Sequence, residues 1–287
     1  MARTTGRDRE YRRELAIARE IQLGFLPERI PARAGWQWAT RYRPAREVSG
    51  DFYDGFELIN GRRVGFVIAD VCDKGVGAAL FMALVRTLLR HTAEHAGSWS
   101  PVEDGGADLG WELDEHGVRL SDPMLFVGAG PLLQAMIGTN RYLAENHIAQ
   151  GYFATVFFGS IDPATGCLLY VNAGHNAPVV VRAGGERFTL GPTGPALGIS
   201  PASTFALTHV LLEPGDSVFL YTDGVTEARD AAGAFLTAGA MTEVLTAPVR
   251  SAEDLIERVD RRLLRHVAGA EQFDDITMMA IHRLAGR

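Results

Sequence analysis

Short strand-like runs joined in pairs by turn sequences constrain the fold of this chain more than any other feature. The runs at 52–59 and 63–71 flank Asn60-Gly61, a dipeptide typical of a tight hairpin turn. Later runs pair around turns rich in Gly, Pro and Asp. Because hairpins join antiparallel neighbours, the sequence predicts largely antiparallel sheets. The later predicted strands are 153–161 with 167–172, 178–182 with 187–190, 204–212 with 217–222, and a closing strand at 276–282.

Helical segments surround these strands. Residues 75–95 form a predicted helix that is apolar on nearly every side as far as Val85, so we expect its first half to be buried. Pro131 suits the first turn of a helix that continues to 146. Two more helices are predicted at 238–247 and 251–267. The pattern favours an α+β fold in which two packed antiparallel sheets are flanked by helices.

The N-terminal segment has a different character. Residues 7–27 read as an amphipathic helix with Leu15, Ala18 and Phe25 on its apolar stripe. The helix either packs on its own domain or forms a coiled-coil dimer or signalling linker. We therefore divide the chain into a linker or dimerisation helix at 1–30 and one folded domain at 31–287. Within that domain, residues 96–122 lack any period and predict an insertion or flexible loop.

Composition narrows the class of protein. The 287 residues are 47% hydrophobic and carry a net charge of −7, which counts against nucleic acid as a partner. The longest apolar run is too short to span a bilayer, which needs about 20 residues. The N-terminus lacks the pattern of a signal peptide, and two cysteines are too few for a disulfide framework. The sequence therefore predicts a cytoplasmic protein with no membrane partner.

Four aspartates stand at predicted strand ends or turns: Asp51, Asp70, Asp223 and Asp274. A carboxylate at the end of a buried strand is costly unless a partner neutralises it. Several of them, without an equal set of nearby Lys or Arg, indicate a shared cation. Oxygen ligands without His or Cys suit Mg²⁺ or Mn²⁺ rather than zinc.

If these aspartates converge, they form an acidic pocket that suits two divalent ions sharing a carboxylate and a bridging water. Such ions make the water a nucleophile at neutral pH and neutralise charge on a phosphoryl group. The sequence offers no Gly-x-Ser-x-Gly elbow, phosphate-binding loop or His-Glu-x-x-His motif. We therefore expect no catalytic side chain beyond the metal ligands. The spacing alone leaves open an ordinary turn at Asp223-Gly224 and a strand cap at Asp274-Asp275.

The order of the motifs resembles the PPM superfamily of metal-dependent Ser/Thr phosphatases, and more narrowly its bacterial RsbU-type branch, which includes stage II sporulation protein E. The resemblance covers about residues 12–95 and 124–283. The matching segments are RELAIAREIQ at 13–22, LP at 26–27, EVSGDFYD at 47–54, IADV at 68–71, KGV at 74–76, AAL at 78–80, FAT at 153–155, VNAGHN at 171–176, PGD at 214–216, YTDGVTE at 221–227 and DDIT at 274–277.

The resemblance implies a four-layer αββα sandwich and a set of ligands for two Mn²⁺ or Mg²⁺ ions. It implies that Asp70 bridges the ions, with the backbone carbonyl of Val71 on one of them. Asp223 and Asp274 would hold the other ion. Asp51 would act directly or through water, and Asp275 is an additional candidate ligand.

The resemblance also implies a substrate and partners. The substrate would be phosphoserine or phosphothreonine on a protein, typically an anti-anti-sigma factor of the STAS fold in partner-switching control of transcription. No sensor domain is seen before residues 7–27 in this sequence, so either the sequence is a fragment of a longer protein or the regulator is a separate sensor or activator protein. A homodimer through residues 7–27 is the further expectation.

Two residues depart from the family pattern. Asp73 stands where the family often has Gly, and it tolerates the left-handed conformation that the turn needs. It is a further candidate ligand that either strengthens or distorts the site. Gly77 replaces a frequent Pro at the start of the helix. Two interpretations follow: an active phosphatase, or a pseudo-phosphatase that binds a regulator as a scaffold. A two-metal phosphodiesterase is disfavoured by the acidic balance.

Three further residues have two interpretations each. His175 is either a general acid or a turn residue bonded to backbone, and we favour the structural role. Arg43 and Arg46 lie near Asp51 in the sequence and either reach a phosphate or belong to the solvated surface, which we favour.

Overall fold

Ten strands form two antiparallel five-stranded sheets in the computed structural model, which describes residues 6–96 and 128–285. The first sheet has the order β2-β3-β4-β5-β8 and the second β1-β10-β9-β6-β7. The strands are β1 Trp36–Arg43, β2 Phe52–Leu58, β3 Arg63–Val71, β4 Ala154–Ile161, β5 Cys167–Ala173, β6 Val179–Val181, β7 Arg187–Thr189, β8 Thr208–Leu211, β9 Ser217–Tyr221 and β10 Ile276–Arg283. The predicted α+β architecture with antiparallel sheets is confirmed.

Helices cover the outer faces of both sheets. Helices α2 and α3 pack on the first sheet, and α5 and α6 pack on the second. The helices are α1 Gly6–Leu23, α2 Val76–His95, α3 Ala129–Asn146, α4 Asp223–Thr226, α5 Ala238–Glu243 and α6 Ala252–Val267. A single 3₁₀ turn at Ile148–Gln150 follows α3. The result is the predicted αββα sandwich.

A core of aromatic and branched side chains fills the space between the sheets. Phe66 and Phe157 stack with their ring centroids 6.1 Å apart, and both are fully buried. Phe157 also stacks on Tyr170 of β5. Because side chains alternate along a strand, each strand of the first sheet contributes to this core and to the layer under the helices. This packing fixes the two sheets against each other and so fixes the ends of their strands.

Helix α2 differs from its prediction. Its residues Ala78, Met82 and Val85 are buried, but Val76 and Leu80 are 44% and 69% exposed. The expectation that the first half is buried all round was wrong, because the sheet and α3 cover only part of its circumference. The first turn of the helix therefore presents apolar side chains to solvent.

Several element bounds also differ. Helix α1 ends at Leu23 rather than at 27, and β8 covers only Thr208–Leu211 of the predicted 204–212. Helix α5 ends at Glu243, and the short helix α4 was not predicted. The predicted insertion at 96–122 lies, apart from residue 96, outside the described residues. No helix in the described part of the chain is long and apolar enough to cross a membrane.

Helix α1 leaves most of its apolar side chains exposed. Tyr11, Ile17 and Ile21 are 60%, 50% and 61% exposed, and Leu15 is half-buried. Gln22 of this helix is buried. A linker or dimerisation role for this segment stays a prediction.

Candidate metal centre

The four predicted aspartates come from strand ends that the two sheets bring together. Asp51 precedes β2, and Asp70 lies near the end of the neighbouring strand β3. Asp223 follows β9, and Asp274 precedes β10, which is the neighbour of β9. The candidate centre therefore lies where the strand ends of the first sheet meet the strand ends of the second.

Asp51 joins the two sheets at this edge. Its Oδ2 accepts hydrogen bonds from Thr222 Oγ1 and Thr277 Oγ1, both at 2.7 Å. Its backbone N–H donates to Ser49 Oγ at 3.0 Å. The carboxylate is only 1% exposed. Since both threonines belong to the second sheet region, these bonds hold the end of β2 against β9 and β10.

Two glycines permit the close approach of the loops. A Cβ on Gly50 would lie 2.8 Å from the carbonyl oxygen of Val71, and one on Gly224 would lie 1.9 Å from that of Asp275. Any other residue would push these segments apart. Gly50 thus keeps the Asp51 loop beside the Val71 carbonyl, and Gly224 keeps Asp223 beside the 274–275 backbone.

Burial and mutual repulsion raise the pKa values of these carboxyl groups. Burial, and then the charge of Asp223, raises the pKa of Asp70 to about 7. Burial, and then the charge of Asp274, raises the pKa of Asp223 to about 6. Burial, and then Asp70 and Asp275, raises the pKa of Asp51 well above its ordinary range, although two threonine hydroxyls oppose this shift. The carboxyl groups therefore lie close enough to repel one another, and the positive charge around them does not offset that repulsion.

Asp274 has a cation beside it already. The Nζ of Lys74 lies 2.8 Å from Asp274 Oδ2, and the backbone N–H of Asp275 donates to Asp274 Oδ1 at 2.9 Å. This lysine pairs with one of the four aspartates, so the expectation that they lack an equal set of nearby Lys or Arg is not contradicted. In the sequence Lys74 lies four residues after Asp70.

The two additional candidate ligands have backbone partners. Asp275 is buried and accepts hydrogen bonds from the N–H groups of Ala45 and Gly50, at 2.6 and 3.1 Å. Asp73 is exposed, and its Oδ1 accepts from the N–H of Lys74 at 2.8 Å. Its φ of 72° shows that Asp73 adopts the left-handed conformation expected for this turn.

The donor chemistry of the cluster fits hard divalent cations, because every candidate ligand is a carboxylate or carbonyl oxygen. Within residues 6–96 and 128–285, however, no three Asp, Glu, His or Cys side chains are arranged to enclose one ion. The mutual pKa effects show that the carboxylates lie near one another, while Lys74 and two threonines hold two of them. The oxygen donors of the cluster therefore fit a divalent ion chemically, while the side-chain positions of the described residues do not enclose one.

Gln22 links the N-terminal helix to the candidate centre through a contact that was not predicted. Its Nε2 donates to the carbonyl oxygen of Ser49 at 2.7 Å, and its Oε1 accepts from the Ser49 N–H at 3.0 Å. Ser49 in turn accepts from the backbone of Asp51. Helix α1 is therefore anchored two residues away from a candidate ligand.

His175 and the two arginines occupy different surroundings. His175 is 3% exposed, its Nδ1 lies 2.9 Å from Thr155 Oγ1, and burial lowers its pKa to about 4. A neutral buried imidazole supports the structural interpretation over a general acid. Arg43 forms an ion pair with Asp260 of α6, whereas Arg46 is exposed with its guanidinium beside Gly75.

A cavity of about 230 Å³ opens beside the centre. It lies between the end of α6 and the 269–274 loop, with Arg229 and Phe273 in its wall. Asp274 and Gly224 also line it, whereas the other three candidate aspartates do not, so the cavity adjoins the candidate centre at Asp274.

Two curated relatives match nearly the whole chain. Protein IcfG of Synechocystis is 39% identical over 277 residues, which are 96% of this chain and 42% of that protein. The phosphoserine phosphatase RsbU of Bacillus subtilis is 24% identical over 280 residues, which are 97% of this chain and 72% of that protein. The chain thus spans less than half the length of IcfG.

Solved structures share the fold. The SiaA-PP2C domain of Pseudomonas aeruginosa has a TM-score of 0.71 at 21% identity, covering 96% of this chain and 98% of that chain. The catalytic domain of the serine threonine protein phosphatase PstP, solved with two manganese ions, has a TM-score of 0.53 at 16% identity, covering 87% of this chain and 98% of that chain. These likenesses establish the fold.

The family follows from the sequence match over this fold. The family model of stage II sporulation protein E (SpoIIE) matches residues 60–284, which include Asp70, Asp223 and Asp274. The matched region begins in the first sheet and ends in the last strand of the second, so it covers most of the sandwich. This chain therefore belongs to the SpoIIE family.

Proposed function

We propose that this chain is a divalent-metal-dependent protein phosphatase that hydrolyses phosphoserine or phosphothreonine on a regulatory protein. The observation that carries the proposal is the convergence of four carboxylates at the meeting edges of two sheets in a SpoIIE-family chain. The relative RsbU is a phosphoserine phosphatase, and the fold neighbour PstP holds two manganese ions, which supports both halves of the proposal.

The ligands proposed for two Mn²⁺ or Mg²⁺ ions are Asp70 as the bridge, the Val71 carbonyl, Asp223 and Asp274, with Asp51 directly or through water. When bound, such ions neutralise charge on a phosphoryl group and lower the pKa of a water that they share. The protein holds Asp51 through two threonines, and Gly50 lets the loop that carries Asp51 lie against the Val71 carbonyl.

Asp275 and Asp73 contribute less directly in this proposal. Asp275 fastens the 45–50 segment to β10 through two backbone N–H groups, which positions Asp51. Asp73 shapes the turn between β3 and α2. We assign neither of them a permanent place on a metal.

The proposed substrate is a STAS-type anti-anti-sigma factor, on the strength of the resemblance to the RsbU-type branch. Such a protein presents its phosphoserine on a folded surface, so recognition requires contacts beyond the phosphate. The net charge of −7 argues against nucleic acid as a partner. We further propose that the protein acts in the cytoplasm, where a separate sensor or activator protein regulates it.

Helix α1 is proposed as a dimerisation and signalling element rather than a catalytic one. Its exposed apolar side chains would be covered by a second copy of the helix. The double change Tyr11→Glu with Ile17→Glu, at two of these exposed positions, should shift a dimer toward monomer. Light scattering that shows only monomer for the wild-type protein at high concentration would contradict this part of the proposal.

A pseudo-phosphatase that acts as a binding scaffold is the second candidate. Two observations favour it: Lys74 is bound to Asp274, and no three candidate side chains in the described part of the chain enclose an ion as they stand. Under this alternative the protein binds its phosphorylated partner without turnover.

Hydrolysis of para-nitrophenyl phosphate and of a phosphoserine-bearing STAS protein separates the two candidates. We expect turnover with Mn²⁺ or Mg²⁺, loss of turnover in EDTA, and recovery when Mn²⁺ is restored. Zn²⁺ should support less activity because it prefers nitrogen and sulfur ligands. Full activity in excess EDTA would exclude the metal mechanism, and binding without turnover under all ions would favour the scaffold.

A further inference from the structure

Lys74 connects the two sheets across the candidate metal centre. It lies in the loop between β3 of the first sheet and α2, while its partners precede β10 of the second sheet. Its Nζ lies 2.8 Å from Asp274 Oδ2 and donates to the carbonyl oxygen of Phe273 at 2.9 Å. The same ammonium lies 4.3 Å from the centroid of the Phe273 ring. One side chain thus makes three favourable contacts with two consecutive residues.

The backbone around Lys74 holds it in this place. Asp73 has a left-handed φ of 72°, and its carboxylate accepts a hydrogen bond from the Lys74 N–H. The side chains of Lys74 and Asp274 are 26% and 22% exposed, so water screens their attraction only in part. Lys74 is therefore held in place by several contacts and is not a freely moving surface lysine.

Both oxygens of the Asp274 carboxylate are engaged. Oδ1 accepts from the Asp275 N–H, and Oδ2 faces the Lys74 ammonium. A divalent ion that uses Asp274 has to displace one of these partners or share an oxygen with it. The Asp275 N–H is fixed by the backbone, whereas the Lys74 side chain has four rotatable bonds and has further partners in the carbonyl and ring of Phe273. Lys74 is thus the partner that a bound ion would displace from Asp274.

We propose that Lys74 is a built-in competitor for the divalent ion at Asp274 and sets the free-ion concentration at which this part of the centre fills. The inference rests on the proposed function, because it takes Asp274 as a ligand. Lys74 keeps the carboxylate neutralised when the ion is absent, and it lowers the affinity for the ion in return. The carbonyl of Phe273 and its ring retain the displaced ammonium at the rim of the centre.

Calorimetric titration of the metal-free protein with Mn²⁺ tests this inference, with Mg²⁺ as a second probe. Lys74→Met removes the ammonium and keeps the apolar stem. We expect the same number of bound ions as in wild type, with one of them bound about three- to tenfold more tightly, as suits the loss of one partly screened ion pair. Lys74→Arg keeps the positive charge and can pair with the carboxylate through two N–H groups, so its affinity for the ion should not exceed that of wild type.

Arg229→Met is the matched control. The Arg229 guanidinium carbon lies 4.0 Å from the centroid of the same Phe273 ring, and Arg229 lines the neighbouring cavity. This change removes one positive charge nearby without touching the Asp274 carboxylate, so the affinity should stay near that of wild type. Equal tightening in Arg229→Met and Lys74→Met would overturn the inference, because it would show a general charge effect.

The outcomes also separate this inference from the proposed function. Unchanged or weaker Mn²⁺ binding by Lys74→Met, in a wild type that binds ions and hydrolyses phosphoserine, contradicts the role of Lys74 alone. A wild type that binds no Mn²⁺ or Mg²⁺ contradicts both. Lys74→Gln carries the same expectation as Lys74→Met and replaces it if that variant unfolds in a thermal melt.

Discussion

Asp51 and Asp54 are three residues apart, and each is 1% exposed, yet the structure treats them in opposite ways. Asp54 faces two arginines of α2, with Arg86 Nε at 2.8 Å and Arg90 Nη1 at 3.2 Å from its carboxylate. Asp51 has only hydroxyl partners and faces other carboxylates. Burial raises the pKa of both groups, but the arginines counteract the shift at Asp54 alone.

The difference shows how to read a buried carboxylate. A buried carboxylate that is paired with guanidinium groups has its charge neutralised within the protein and holds elements together, here β2 and α2. A buried carboxylate that lies among other carboxylates lacks a neutralising partner and needs a bound cation. The four predictions below test this division between a structural aspartate and the candidate ligands.

The largest effect is expected at the candidate ligands. Asp70→Asn and Asp223→Asn should each reduce turnover by at least about 10²-fold, since each removes a charged ligand from the proposed metal centre. The unfolding free energy of the metal-free variants should equal or exceed that of wild type, because like charges are removed. Steady-state kinetics with Mn²⁺ and urea unfolding measure the two effects. Near-normal rates in variants that have lost metal binding would contradict the assignment.

The same change at the structural aspartate should act on stability instead. Asp54→Asn leaves two arginines without their carboxylate and should lower the unfolding free energy by about 2 kcal/mol. The affinity for Mn²⁺ should stay within about threefold of wild type, as Asp54 is no proposed ligand. Urea unfolding and calorimetry check both values. A stable Asp54→Asn variant with lost metal binding would reverse the comparison.

The stability of the metal-free protein should depend on pH because several of its buried carboxylates lack a positively charged partner. The pKa of Asp70 in the folded protein is about 7, above its ordinary value of 3.8, so the native state binds more protons than the unfolded state between these values. The contribution of Asp70 to the unfolding free energy of the metal-free protein should therefore fall as pH rises from about 4 to 7, by up to about 1 kcal/mol per pH unit. Asp70→Asn should flatten the profile over this window. Identical profiles for the two proteins would show that Asp70 titrates normally.

The smallest effect is expected from the helix that touches this edge. Gln22→Ala removes two hydrogen bonds to Ser49 and should weaken Mn²⁺ binding by about two- to fivefold, because the loop that carries Asp51 loses a support. Ile21→Ala, on the exposed side of the same helix, is the matched control and should leave binding unchanged. Equal effects of the two changes would assign them to helix stability rather than to the Ser49 contact.

Local patterns determined much of this protein in advance. Alternating apolar residues and hairpin turns specified the antiparallel sheets, because both signals depend on neighbours within a few residues. The positions of Asp51, Asp70, Asp223 and Asp274 at strand ends marked them as candidates, since a carboxylate there is costly without a partner. The order of the motif segments along the chain indicated the family without any knowledge of the contacts between them.

Partners that lie far apart in the chain were decided only by the tertiary structure. The sequence could not show that Asp54 meets Arg86 and Arg90, or that Gln22 reaches Ser49 across 27 positions. Lys74 stands 200 positions from Asp274, and only the packing of one sheet on the other brings them to 2.8 Å. The exposed Val76 and Leu80 follow the same logic, because α3 and the sheet decide which side of an apolar helix is covered. The periodicity of a sequence shows which faces of a helix or strand are apolar. The neutralisation of a charge depends on which elements meet in the folded protein.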